Sequence, residues 1–176
     1  YKRNTISKLL KVLEKEKLLK NHKFKIKVNK YIPLKSGLGG GSMNAANILK
    51  YLIKKNFINP SKSQLSSICN SVGSDVVLGL NSTFTILKSN NQIKEFKNCK
   101  KFYALIVKPG FGCSTKEIFS GVKKFTKPRF NKSSKKILSF DNLKKLNNSL
   151  EVISLSKFPK LKNIKHFLEK SSNKSF

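Results

Sequence analysis

Tryptophan is absent from these 176 residues, and histidine occurs only at positions 22 and 166. Cys69, Cys99 and Cys113 are odd in number, widely spaced and without a C-x-x-C pair. Together these scarcities argue against a Cys/His zinc site, and three reduced thiols fit a cytosol-like compartment. Arginine is nearly missing: of 38 Lys and Arg residues only Arg3 and Arg129 are arginine. Acidic residues number eight, with Asp75 and Asp141 the sole aspartates. A net charge of +30 would ordinarily suggest nucleic acid or an anionic membrane. Here the lysines are spread along the whole chain, the guanidinium forks that read bases and phosphates are lacking, and no aromatic stacking platform is interleaved. No specific nucleic-acid partner is predicted, and the richness in Lys, Asn, Ile and Phe reads as drift in an A/T-rich genome. Apolar runs nowhere approach the roughly 20 residues of a membrane helix. The start has no initiator Met and no signal-like apolar block, so both ends are expected to be cut.

With 38% hydrophobic residues, there is enough apolar material for a core in one large or two small domains. One run organises the chain: Pro33-Leu34-Lys35-Ser36-Gly37-Leu38-Gly39-Gly40-Gly41-Ser42-Met43-Asn44-Ala45-Ala46. Before it, Phe24 to Val28 alternates apolar residues with Lys, the period of a half-buried strand. After it, Ala45, Ala46, Ile48, Leu49, Leu52 and Ile53 recur at helical spacing through about Lys55. A glycine loop therefore joins a strand to a helix N-terminus, with Ser42 or Asn44 as N-cap. Glycines accept positive φ and leave no side chain between backbone and ligand. The first helical amides lack internal partners and carry the positive end of the dipole, so the loop suits a phosphate. It is neither a Walker loop, since no Gly-Lys-Ser/Thr follows, nor the dinucleotide G-x-G-x-x-G, since Ser42 replaces the third Gly. The plain alternative is a tight turn without a ligand.

Along the rest of the chain, Thr5 is predicted to cap a helix ending near Leu19, and Ser63 a short helix carrying Leu65, Ile68 and Cys69. Thr83–Leu87 and Gln92–Phe96 read as a hairpin around Lys88–Asn91. Asn98-Cys99-Lys100 is a boundary between domains 1–99 and 100–176. Phe102–Val107 is a predicted buried strand, and Ser114 or Thr115 caps a helix with Ile118, Phe119 and Val122. From Lys123 to Ser139 a polar surface segment is expected, then helices Asn142–Leu155 and Lys160–Lys170. Asp75 stands directly before Val76-Val77-Leu78-Gly79-Leu80. A carboxylate entering an apolar segment is costly unless paired or used, so Asp75 is either a turn cap or a working group.

The run Pro-x-x-x-Gly-Leu-Gly-Gly-Gly-Ser followed by Asn-Ala-Ala resembles the phosphate loop of the GHMP small-molecule kinases. Gly73-Ser74-Asp75-Val76 resembles their Gly-Ala/Ser-Asp-Val motif, although Val77-Leu78-Gly79 stands where the family usually has Pro-Phe-Phe. The triple glycine before Ser42 is closest to the branch that phosphorylates a cytidine-diphosphate-linked methylerythritol in non-mevalonate isoprenoid synthesis. The resemblance implies an α+β, two-domain GHMP-kinase fold. An N-terminal α/β domain would carry the loop, a ferredoxin-like α+β domain would follow, and both would be incomplete. It implies ATP and Mg²⁺, with Pro33, Gly37, Leu38, Gly39, Gly40, Gly41 and Ser42 around the phosphates and Ser42 placing the metal. Asn4 matches an asparagine near the nucleotide, Lys30 a basic residue contacting ATP, and Asp75 the catalytic base. Thr115 and Phe119 fall in a substrate segment where an aromatic ring stacks on cytosine, although Phe119 equally suits a core position. Asn148-Ser149-Leu150-Glu151 is similar to the family's Asn-Asp-Leu-Glu.

The family's opening Ala-Lys-Leu-Asn strand, whose lysine stands beside the base, its Gly-Tyr-His segment and its closing Ser-Gly-Ser-Gly loop do not occur, so the chain reads as the middle of a kinase. Two other readings stay open: a kinase of the homoserine or mevalonate type, and an inactive basic fragment held on nucleic acid by charge. A bacterial cytoplasm or a plastid-type organelle is the expected compartment. Nothing in the pattern sets an oligomeric state.

Overall fold

The computed structural model describes residues 4–33, 35–81, 83–132 and 134–171. Among them run seven α-helices and one two-stranded sheet, in two compact units. One unit comprises Tyr1–Ile32 with Leu38–Lys97, the other Pro33–Gly37 with Asn98–Phe176. The glycine-rich run is thus divided between them, and its Leu34 lies outside the described residues.

The first unit is built on three helices: α1 (Thr5–Lys15), α2 (Gly40–Lys54) and α3 (Lys62–Val72). Their apolar faces supply Leu9 and Leu13, then Ala45, Ala46, Leu49 and Leu52, then Ile68, Cys69 and Val72. Ile58 and Val76 complete this core. The N-caps of α1 and α3 differ from expectation. Asn4, not Thr5, caps α1 by accepting from the Ser7 amide at 2.9 Å. Ser61, not Ser63, caps α3 through a reciprocal box with Gln64, each side chain accepting from the other's backbone amide. The Ser-x-x-Gln spacing satisfies two orphan amides at once, which a cap two residues later would not. The first helix also ends at Lys15, four residues before the predicted stop.

A 3₁₀ turn (Val77–Leu80) follows Val76 and lies on α2. Gly79 makes that approach possible: a Cβ there would stand 2.5 Å from the Ala46 Cβ and 3.1 Å from the Met43 thioether. The hairpin forms as predicted, with β1 (Phe84–Leu87) antiparallel to β2 (Ile93–Phe96) and Phe84 opposite Phe96. Asn91 closes its turn at φ +60°, a conformation asparagine tolerates.

Cys69 is only 1% exposed, and burial pushes its thiol from 9.0 up to about 11. Because the folded value is the higher one, the stabilisation linked to it is complete below pH ~9 and is lost as pH rises through about 11. Thiolate is the reactive form. Titration with a disulfide reagent at pH 8 should therefore modify Cys99 and Cys113, each half-buried, and reach Cys69 only in denaturant. Three equally fast thiols would contradict this packing.

Two predicted strands do not form. Phe24–Val28 and Phe102–Val107 carry no strand pairing, and Ile26, Val28, Leu105, Ile106 and Val107 are exposed, the predicted buried segment included. Period-two sequence supplies a face, but a strand also needs a neighbour for its amides and carbonyls; among the described residues only β1 and β2 pair. Phe24 instead packs edge-on to Phe57, which also meets the His22 ring.

In the second unit, α4 (Thr115–Phe119) is capped by Ser114, and α5 (Phe140–Lys144), α6 (Glu151–Lys157) and α7 (Lys160–Ser171) follow. The predicted helix Asn142–Leu155 is therefore two short helices broken across 145–150. Glu151 pairs with Lys165, holding that ammonium above its usual range, and Glu169 lies 3.8 Å from the same nitrogen. No described residue of this unit is buried.

Candidate functional site

The first unit brings three of the sequence-predicted segments together. At the first, Gly39 adopts φ +63° and is the N-cap of α2, so neither Ser42 nor Asn44 takes that place. The first intrahelical bond runs from the Met43 amide to the Gly39 carbonyl at 3.0 Å. Gly40, Gly41 and Ser42 therefore precede any internal acceptor. No side chain caps this end and no acidic residue sits in its first turn. The result is a set of backbone donors at a helix dipole's positive end, with glycine giving close access. Gly37 also has positive φ, +72°. Leu38 is 42% exposed, and Gly40 packs on the Ile32 side chain.

The second segment is the start of α1. Asn4 uses its side-chain oxygen on the Ser7 amide, and the neighbouring Thr5 hydroxyl would lie 2.7 Å from a Cβ at Gly41. The third is Gly73-Ser74-Asp75, just past α3. The Ser42 hydroxyl would stand 3.7 Å from a Cβ at Gly73, so the two glycine-containing motifs are neighbours in space. The Ser74 hydroxyl donates to the Asp75 carboxylate at 3.1 Å. Asp75 is exposed, so the cost of burying a carboxylate, which first drew attention to it, does not arise. Nor is the carboxylate a cap: the amide of Leu78 is taken by the Asp75 carbonyl at 3.2 Å. What this leaves is a solvent-accessible carboxylate two residues beyond the glycine that neighbours Ser42.

Lys30 and Pro33 are exposed. Thr115 and Phe119 lie in the second unit, where Phe119 is 51% exposed at the end of α4, which removes the core reading of that ring. Sequence reasoning missed the contacts that Thr5 and Gly79 make around these segments, and that of Lys8, whose ammonium donates to the Val72 carbonyl at 3.0 Å. Lys8 had no signal to separate it from the other lysines.

Among the described residues no three His, Cys, Asp or Glu side chains could hold a metal ion by themselves. Mg²⁺ bound with phosphate needs only one or two protein oxygens, and the Ser42 hydroxyl at the first turn of α2 is an oxygen of that kind. No helix among the described residues is long and apolar enough to cross a membrane.

A protein of Pelagibacter ubique (strain HTCC1062) named 4-diphosphocytidyl-2-C-methyl-D-erythritol kinase is 51% identical over 98% of this chain and 62% of its own length. One of the same name from Clostridium botulinum (strain Hall) is 33% identical over 82% of this chain and 55% of its own length. The chain thus spans less than two thirds of these relatives. No solved structure matches it significantly. Residues 4–87 match the family model described as the GHMP kinases N terminal domain, a span that holds α1, the glycine run, Asp75 and β1. Residues 4–87 are thus similar to the N-terminal domain of the GHMP kinases.

Proposed function

We propose that this protein phosphorylates the 2-hydroxyl of 4-diphosphocytidyl-2-C-methyl-D-erythritol with ATP, supplying an isoprenoid precursor in a bacterial cytoplasm. The observation that carries the proposal is the 51% identity to the Pelagibacter protein across 98% of the chain. The neighbouring placement of Ser42 and Gly73 supports it. The proposal includes a two-domain arrangement, with Gly37–Ser42 as the phosphate loop and a ferredoxin-like domain over 100–176.

The amides from Gly37 to Ser42 hold the β- and γ-phosphates, with Asn4, Lys30, Pro33 and Leu38 around the nucleotide. Asp75 accepts the proton of the acceptor hydroxyl as its oxygen attacks the γ-phosphorus. The bond from that phosphorus to the bridging oxygen breaks, and ADP leaves with the electron pair. The Ser42 hydroxyl would help hold Mg²⁺ bound with the phosphates, an ion that would supply charge neutralisation for the transferring group. Positioning and neutralisation supply most of the acceleration in such reactions, so amide donors and one carboxylate are a sufficient local set. In the second domain Thr115 and Phe119 receive the cytidine part, the ring of Phe119 stacking on the base.

Binding tests this directly. MgATP should bind saturably in moderate salt and shift the amide resonances of Gly39–Ser42. CDP should compete with the acceptor where homoserine and mevalonate do not. Competition by homoserine or mevalonate would redirect the assignment to another kinase of this type. Binding of RNA regardless of sequence, falling steeply with salt and without any MgATP response, would replace it with charge-driven association.

A further inference from the structure

Helix α1 touches the glycine run and the last residue of α3 from one face. Thr5 and Lys8 are three residues apart and hence neighbours on the helix surface. Thr5 lies against Gly41. The Lys8 ammonium reaches across to donate to the Val72 carbonyl at 3.0 Å. Val72 is the last residue of α3 and is only 4% exposed. A carbonyl at that position has no intrahelical amide to accept from, and a cation there also meets the negative end of the dipole. The three residues that follow are Gly73, Ser74 and Asp75. Gly73 leaves the helix in extended conformation (φ 172°, ψ 144°), its carbonyl accepts from the Val76 amide at 3.0 Å, and Val76 is fully buried. The Gly73–Asp75 segment is therefore held at Val76 by the core and at Val72 by Lys8.

We propose that Lys8 is a positioning residue: it fixes the exit of α3 and so sets where the Asp75 carboxylate stands relative to the amides of Gly40–Ser42. Its catalytic consequence rests on Asp75 acting as the base. Because Thr5 abuts Gly41 on the same face, α1 works as a spacer between donor cluster and carboxylate, and Lys8 is its grip on the carboxylate side.

The test compares Lys8→Met and Lys8→Arg with Ser61→Ala, which removes the cap at the opposite end of α3. Amide exchange at Gly73 and Val76 is followed by NMR, and kcat and KM are measured where all variants remain folded. Lys8→Met should speed exchange at Val76 and lower kcat on the order of 10- to 100-fold with KM for MgATP unchanged. Lys8→Arg should restore most of both, and Ser61→Ala should lower the melting temperature without either effect. Equal losses of kcat in Lys8→Met and Ser61→Ala would reduce Lys8 to a stability role, and unchanged exchange and kcat in Lys8→Met would remove the grip altogether. Faster Val76 exchange in a protein with no turnover towards any acceptor would keep the grip and remove Asp75 from catalysis.

Discussion

Asp75→Asn is expected to lower turnover by on the order of 10²- to 10⁴-fold while leaving MgATP affinity nearly unchanged. Amide and carboxylate have the same shape, and the Ser74 hydroxyl that donates to Asp75 at 3.1 Å can donate equally to an amide oxygen. What is lost is the ability to accept a proton. The nucleotide is held elsewhere, by backbone donors at the start of α2 that no side chain caps. Because Asp75 is exposed and, among the described residues, its carboxylate pairs locally with Ser74, the substitution should leave the melting temperature within about a degree or two of the parent. Measuring kcat, KM for MgATP and thermal midpoint on one preparation separates the effects. Undiminished turnover would remove Asp75 from the base role, and a large fall in stability would show that the carboxylate serves the fold.

A marked fall in stability is expected of Gly79→Val. Its Cβ would stand 2.5 Å from the Ala46 Cβ and 3.1 Å from the Met43 sulfur and methyl. Ala46 is fully buried within α2, so the contact is with a side chain that cannot rotate away. Overpacking of this kind costs about 1–3 kcal/mol. In urea unfolding the midpoint should fall by the corresponding amount, and Cys69, buried in the same core, should become accessible to thiol reagents at lower denaturant. Ala46→Gly in the same chain should recover part of the loss, less the roughly 1 kcal/mol that glycine costs inside a helix. A midpoint equal to the parent's would mean that the 3₁₀ turn can lift from α2 freely. The site should feel it too, because Met43 and Ala46 follow Ser42 within the first two turns of α2.

How much of this was legible in the residues differs by element. The hairpin was, because alternating Phe, Thr, Ile and Leu flank an Asn-rich turn and both strands are local to each other. The body of α2 was, through the spacing of Ala45, Ala46, Leu49 and Leu52. Its first residue was not. A rule that favours serine or asparagine as cap loses to Gly39, which reaches the left-handed conformation without strain. At α3 the information was present but misweighted: Ser61 and Gln64 stand at the spacing of a reciprocal cap. The segments Phe24–Val28 and Phe102–Val107 have the composition of strands, but pairing is a property of two segments, and sequence names only one. Asp75 was singled out for its supposed burial, which its exposed side chain overturns, and for its Gly-Ser-Asp-Val context. Lys8 was hidden by composition. In a chain with 38 basic residues, one ammonium that caps a helix looks like all the others until Val72 is seen across from it.

Acceptor-dependent ADP release from MgATP tests the central claim most directly, with 4-diphosphocytidyl-2-C-methyl-D-erythritol as acceptor and Asp75→Asn alongside the parent protein. Release that requires this acceptor and is lost in Asp75→Asn is the predicted result. Acceptor-dependent release that persists undiminished in Asp75→Asn, or no response of the Gly39–Ser42 amides to MgATP, would contradict it.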